Sequence, residues 1–301
     1  MQLELSTLFS PAMHLFLTQV GQAAHDWGAR AYLVGGMPRD LIRGQTSVDL
    51  DLVLEGDAIA FSRELKSQWN ALFKELPAPA KQLAFKRYGT AKLLFSPELF
   101  PGVQSIDFAS ARTEQYPTPG GAPVVQPSDL QADLARRDFS INAIAVELSP
   151  IAPGAVHDPH QGVKHLGENR IAVLHPRSFI DDPARLIRAV RFSTRLGYQL
   201  DDSTATLFKS GVAAQLIRTL PPARCEDEFR KAMEEPRVTP VMLELSNSGL
   251  LTQILPGLRL TDQLIEKLSA LDLKRQELKR QGQLVTALEY LKLLHDFSTP
   301  R

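Results

Sequence analysis

Residues 48–54 read Val-Asp-Leu-Asp-Leu-Val-Leu. Side chains alternate between the faces of a β-strand, so this run sets Asp49 and Asp51 on one face, roughly 6–7 Å apart at their Cα atoms, against Leu50 and Leu52 on the other. The rest of the run is apolar, which places the strand in a sheet packed on a core and makes two acids hard to explain as mere solvent-facing residues. Paired hard oxygen ligands suit Mg²⁺, which takes one or two carboxylates and completes its shell with phosphate oxygens and water. Asp107, in a second predicted strand over Val103–Ala109, is a candidate third carboxylate for the same face.

Just upstream, Ala31-Tyr32-Leu33-Val34 is a short apolar run closed by Gly35-Gly36, with Arg39 following. A strand entering two glycines and then a helix start lets backbone N–H groups approach a phosphate, and Arg39 would add positive charge. A solvated strand face, or a turn that needs glycine only for its dihedrals, would account for either signal alone. The two in order, about ten residues apart, are more specific.

Around these motifs the chain divides by character. Helix is expected over 8–27 and 58–76, strand over 31–34, 48–54, 90–95 and 103–109, a Pro/Gly-rich loop over 113–128, helix over 133–144 and strand over 145–148. After a turn-rich connector the pattern becomes almost wholly helical, over 181–196, 202–217, 222–234, 238–248 and 261–294, with Pro176, Pro221, Pro236 and Pro256 at the boundaries. The expected fold class is α+β: a head with a small mixed sheet over 1–150, a connector and helical neck over 151–236, and a short helical body over 237–301.

A length of 301 residues allows about two domains. With 44% apolar and 23% charged residues, the chain is globular rather than disordered. Its formal net charge is +0, unlike a uniformly basic nucleic-acid coat. The one cysteine, Cys225, excludes an intramolecular disulfide and a zinc site built on several thiolates. No basic region precedes an apolar run at Met1–Phe9, and no stretch reaches about 18 apolar residues, so neither a signal peptide nor a membrane span is expected. A reducing, cytoplasmic setting follows, with no stable protein partner predicted.

Asp182, Arg185, Arg188 and Arg191 succeed one another at intervals of three, and Arg195 follows. Such spacing keeps side chains on one slowly turning helical face. A stripe like this is most often a solvated surface.

The order of the motifs changes that weighting. Leu33-Val34-Gly35-Gly36 with Arg39-Asp40, then Asp49-Leu50-Asp51, then Asp107-Phe108-Ala109-Ser110-Ala111-Arg112-Thr113-Glu114, then Arg136-Arg137-Asp138-Phe139-Ser140-Ile141-Asn142-Ala143, then Asp181-Asp182-Pro183-Ala184-Arg185 through Phe192 resemble the successive signatures of class II nucleotidyltransferases. These are the bacterial CCA-adding tRNA nucleotidyltransferases and poly(A) polymerases. Arg224, Glu228, Phe229 and Lys231 match a weaker fifth motif. The resemblance spans residues 30–235 and implies a polymerase β-like head, with a tail shorter than the family's usual one.

It also implies an activity: template-independent addition of C and/or A residues to the 3′ end of a tRNA from CTP and ATP, with Mg²⁺ as cofactor. CC-only, A-only or poly(A) addition, and a non-catalytic RNA-binding paralogue, stay open. In this likeness Asp49 and Asp51 bind the metal and Asp107 assists. Gly35, Gly36 and Arg39 hold the triphosphate, while Arg136, Arg137, Asp138 and Asn142 contact ribose and phosphate. Asp182, Arg185, Arg188 and Arg191 lie on the helix that reads the base. The chemistry of such reading is simple: a carboxylate only accepts hydrogen bonds and a guanidinium only donates. Cytosine and adenine both present an amine beside an unprotonated ring nitrogen, which suits that pair; guanine and uracil present the opposite polarity. The loop at 113–128 would rearrange between C and A addition.

Overall fold

The computed structural model describes residues 1–45, 47–281 and 286–298. The chain divides into two compact units, one of residues 1–115 and 124–168 and one of 116–123 and 169–301. Among the described residues no helix is long and apolar enough to cross a membrane.

The first unit contains, in chain order, α1 (Leu5–Leu8), α2 (Pro11–Asp26), β1 (Arg30–Leu33), α3 (Gly36–Ile42), β2 (Leu50–Glu55), α4 (Ala58–Ser67), α5 (Trp69–Leu72), β3 (Pro79–Phe85), β4 (Thr90–Phe95), β5 (Ser105–Ser110), β6 (Arg112–Gln115), β7 (Val124–Pro127), α6 (Leu130–Ala135), β8 (Ala145–Glu147), β9 (Val156–His157) and α7 (Gly162–Gly167). Seven strands form one sheet in the order β3-β4-β5-β2-β1-β8-β9. Only β2 and β5 run parallel; every other neighbouring pair is antiparallel.

Helix α2 begins where the Ser10 hydroxyl accepts the Met13 amide and Pro11 occupies the first turn, two standard start signals. Its Met13, Phe16, Leu17, Val20 and Ala24 recur at helical spacing and are buried. They share one core with Ala31 and Leu33 of β1, Leu50, Leu52 and Leu54 of β2, and Phe61, Leu65 and Trp69. Phe16, Trp69, Phe73 and Phe95 pack there with tilted rings, successive centroids between 4.5 and 5.9 Å apart. Since the leucines of β2 face this core, Asp51 and Glu55 point to the other side of the sheet.

The elements depart from expectation in several places. Strand β2 starts at Leu50, so Val48 and Asp49 precede it and are exposed. The helix expected over 58–76 breaks at Gln68 into α4 and α5. That expected over 133–144 is only α6, capped by Asp129, followed by a 3₁₀ turn at Ser140–Asn142. There Asp138 Oδ1 takes the Phe139 amide at 2.8 Å and Asn142 Nδ2 at 3.1 Å, local bonds that compete with a continuing helix. The loop expected over 113–128 is the hairpin β6–β7, with all its Pro and Gly residues except Pro127, which ends β7, at the tip. The unit continues past residue 150 because β9 pairs with β8 and His165 of α7 meets the Ser140 hydroxyl at 2.8 Å.

The second unit holds β10 (Arg170–Ile171), α8 (Ser178–Asp181), α9 (Ala184–Leu196), β11 (Gln199–Leu200), α10 (Asp202–Ala213), α11 (Pro222–Met233), α12 (Val238–Asn247), α13 (Leu250–Ile254), α14 (Asp262–Arg280) and α15 (Ala287–Ser298). Leu186, Ile187, Ala189 and Val190 of α9 are buried. Asp201 caps α10 through Thr204, and Thr261 caps α14 through Leu264. Part of the helix expected over 261–294 falls on residues 282–285, outside the described residues; the described parts are α14 and α15.

Candidate active site

Strand β1 ends at Leu33, and the Val34 amide then donates to the Asp51 carbonyl at 3.0 Å. Gly35 follows with φ +75, a left-handed value that disfavours a side chain. A Cβ there would lie 2.9 Å from Asp51 Oδ2, so only glycine lets the turn pass this close to the carboxylate. Gly36 opens α3, and a Cβ on it would meet Arg39 Nη2 at 3.2 Å.

Arg39 is buried and builds a network. Its Nε and Nη2 grip both carboxylate oxygens of Asp40 at 2.8 Å, while Nη1 reaches Asn142 Oδ1 at 2.8 Å. Asn142 in turn donates to Asp138. Residues from two separate sequence motifs, Arg39 from one and Asp138 and Asn142 from the other, are thus one hydrogen-bonded group.

Asp51 on β2 pairs in register with Asp107 on the parallel neighbour β5. Adjacent strands lie about 4.8 Å apart, so the two carboxylates are held close. Burial pushes the Asp51 carboxyl up to about 6, and the negative charges of Asp107 and Asp49 add to the rise, against partial relief from Arg137 and Lys92. Lys92, opposite Asp107 on β4, forms an ion pair with it at 2.9 Å. The charges of Asp49 and Asp107 thus bear on the buried Asp51 carboxylate.

Arg136 and Arg137 converge on Asp133, which is fully buried at 0% exposure. Arg136 also reaches Glu114 at 2.9 Å, and Glu114 takes Arg112 at 2.8 Å. Burial alone would raise the Asp133 carboxyl, but the charges and hydrogen bonds of Arg137 and Arg136 outweigh it and hold the group below its ordinary value. Asp133 orients both arginines from three and four residues upstream, a spacing visible in the sequence, and Glu114 adds a bond to Arg136 from a distant strand.

In the second unit Asp182 sits just before α9, 6% exposed. Its Oδ1 accepts the Ala184 amide at 3.3 Å and Arg224 Nη2 at 2.9 Å. Arg185 is 3% exposed and donates from Nη1 to the buried Ser178 hydroxyl at 2.6 Å. Both members of the expected pair are thereby fixed in place. Arg224, known from sequence only as part of a weak motif, is the partner of Asp182. Ser178 carries no sequence signal.

The arginine stripe divides along its length. Arg188 is half-buried on α9. Arg191, expected beside Arg185 at the nucleotide, is bridged to Glu228 at 3.2 Å and Glu235 at 3.0 Å. Arg195 lies 3.8 Å from Glu235 and over the Phe192 ring. The acids of α11 and the elbow after it take up the charge of this end of the stripe.

Residues 31–172 match a family described as the "Poly A polymerase head domain". Residues 197–260 match one described as "Probable RNA and SrmB- binding site of polymerase A". An A-adding tRNA nucleotidyltransferase of Aquifex aeolicus is 37% identical over 242 residues, 80% of this chain and 28% of the relative. A CC-adding tRNA nucleotidyltransferase of Deinococcus radiodurans is 32% identical over 238 residues, 77% of this chain and 57% of the relative. The chain thus spans well under two thirds of the length of these curated relatives. A solved tRNA nucleotidyltransferase, complexed with a primer tRNA and an incoming ATP analog, superposes with a TM-score of 0.73 at 32% identity, covering 91% of this chain and 74% of that one.

Proposed function

The chain belongs to the family of tRNA nucleotidyltransferases that carry the Poly A polymerase head domain, and from that membership we propose that it adds C and/or A residues to the 3′ end of a tRNA, using CTP and ATP and releasing pyrophosphate. The observation that carries this reading is the in-register pair Asp51 and Asp107 with Asp49 nearby, where burial and then the two neighbouring negative charges push the Asp51 carboxyl up to about 6.

The donor set suits Mg²⁺. Such an ion takes one or two carboxylates and finishes its shell with phosphate oxygens and water. Asp49 and Asp51 would hold it, with Asp107 assisting. When bound, the metal would lower the pKa of the attacking hydroxyl and neutralise charge on the departing pyrophosphate.

The protein's own groups supply the rest. Gly35 keeps the turn low enough for Asp51 to be reached, and Arg39, tied to Asn142 and Asp138, holds the 138–142 turn against α3. Arg136 and Arg137, oriented by Asp133, supply positive charge for ribose and phosphate oxygens. Asp182 accepts from the exocyclic amine of cytosine or adenine while Arg185 donates to the neighbouring ring nitrogen. Guanine and uracil leave both groups mispaired, which a buried site penalises strongly. Arg191 steadies the helix. Residues 1–115 and 124–168 would act as catalytic head, 169–236 with the 116–123 segment as neck and 237–301 as body, in the cytoplasm.

One incubation tests the proposal. Purified protein with Mg²⁺ and CTP, ATP, both, GTP or UTP is given tRNA ending before CCA, after C, or after CC. Addition of C, A or both to the matching end is expected, and the product ladder separates CCA, CC-only, A-only and poly(A) addition. No extension of any tRNA end would refute it.

A further inference from the structure

Helices α14 and α15 lie beyond residue 260, where the matched RNA-binding region stops. They nevertheless hold three buried polar side chains that bear on α9. Asp272 and Arg275 are one turn apart on α14, and Tyr290 comes from α15. Asp272 accepts the Val238 amide at 2.8 Å, the Thr239 amide at 2.9 Å and the Tyr290 hydroxyl at 2.9 Å. Those two amides open α12. Arg275 donates to the carbonyls of Met233 and Glu235, at the close of α11, and its guanidinium lies 4.3 Å from the centre of the Tyr290 ring. A single turn of α14 thus grips both helix ends at the elbow, each with the sign of charge that the helix dipole favours.

Glu235 is in that elbow, 4% exposed. Its carboxylate takes Arg191 at 3.0 Å and Arg195 at 3.8 Å, both from α9. Arg191 is six residues beyond Arg185, about 9 Å along the helix. A continuous set of directional contacts therefore runs from α15 through α14 and the elbow to the helix that carries Arg185. Elbow packing alone would be served as well by apolar side chains, because burying charges costs free energy that attraction only partly returns. Charges fixed on backbone ends supply what apolar packing does not, a defined position and rotation for Glu235.

We infer that Asp272, Arg275 and Tyr290 are positioning residues for nucleotide selection: they fix Glu235, which sets the rotation of α9 through Arg191 and so the placement of Arg185 against the base edge. The inference rests on the base-reading role proposed above. None of the three touches the nucleotide. Reading a base edge needs its donors and acceptors within about 0.5 Å of their places, so a slackened helix loses selectivity first.

The test uses the full chain with Arg275→Met, which keeps most of the volume but removes both carbonyl contacts, and Tyr290→Phe, which removes one hydroxyl and is the milder change. The readout is kcat/KM for C or A divided by kcat/KM for U or G on the same tRNA. Partial unfolding lowers numerator and denominator together, so this ratio reports placement and not the folded fraction. We expect it to fall roughly tenfold in Arg275→Met, to fall less in Tyr290→Phe, and to recover in part in Arg275→Lys. A wild-type ratio in both Arg275→Met and Tyr290→Phe would overturn the inference; if Arg275→Met does not fold, Tyr290→Phe decides alone. Failure of the wild-type chain itself to extend any tRNA would overturn the function reading along with it.

Discussion

Asp51 shows how one residue can be costly for the fold and useful for chemistry. Its carboxyl titrates near 6 in the folded chain against an ordinary 3.8, because burial, Asp107 and Asp49 all oppose its charge. Between those values the folded state holds a proton that the unfolded state has released. The stability linked to Asp51 is therefore fully present below about pH 4 and is lost as the pH rises through 6. Asp51→Asn removes that loss, so in chelator the variant should be more stable than wild type at pH 8, by about 3 kcal/mol, with the difference shrinking towards pH 4. Adding Mg²⁺ should raise the wild-type melting temperature at pH 8 and leave the variant nearly unmoved. Denaturant melts at both pH values check this; a pH-independent difference would show that repulsion at Asp51 is not its source. Asp133 is the opposite case. It is buried, but two arginines hold it ionised. Asp133→Ala leaves those guanidiniums without their shared partner and should destabilise the chain by about 3 kcal/mol, measured by urea unfolding at neutral pH.

Elements were legible in the sequence where periodicity was local and strong. Strand β4 occupies the expected 90–95, and α9 follows the expected helix closely, because apolar side chains recur there at the period of the element. Strand β3, Pro-Ala-Lys-Gln-Leu-Ala-Phe, went unread: as an edge strand it is half exposed and shows no clean alternation. The turn at 138–142 was hidden because side chain-to-backbone bonds of Asp138 decide it, not hydrophobic spacing. The site divides in the same way. Asp49, Asp51, Asp107, Asp182 and Arg185 could be picked out by type and order. Lys92, Ser178 and Glu235 could not, since they are partners brought in by tertiary structure; Asp133, three and four residues before Arg136 and Arg137, had a local signal that was not read. On α9, Leu186, Ile187, Ala189 and Val190 are buried, so removing Arg185 should leave the helix standing on that apolar face. Arg185→Ala should retain its fold by circular dichroism yet lose most of its preference for C and A over U and G, on the order of 100-fold. Unchanged discrimination in single-nucleotide extension assays would show that the base is read elsewhere.

At the scale of the molecule, a net charge of +0 conceals two opposed sets, the carboxylate cluster around Asp51 and the arginines of 136–137 and 185–195. A nucleotide-adding enzyme needs both. The chain path is as telling as the charge. It passes between the two units three times, at 115–116, 123–124 and 168–169, because the tip of the β6–β7 hairpin belongs to the second unit. Within that unit the Gly120 amide donates to the Asp181 carbonyl at 3.3 Å, next to Asp182. Gly120 has φ +69, and a Cβ there would lie 2.8 Å from the Thr219 carbonyl oxygen. Backbone cannot swing aside as a flexible side chain can, and a β-branched residue is strained at that φ. Gly120→Val should therefore unseat the tip while leaving both cores intact. Amide exchange at Gly121 and Ala122 should quicken by roughly tenfold or more, with core amides unchanged, as expected of a local opening. The variant also separates two roles for the segment. If the hairpin tip rearranges between C and A addition, unseating it shifts the proportion of C to A in the product. If it only staples the second unit, exchange quickens and the product sequence stays as in wild type.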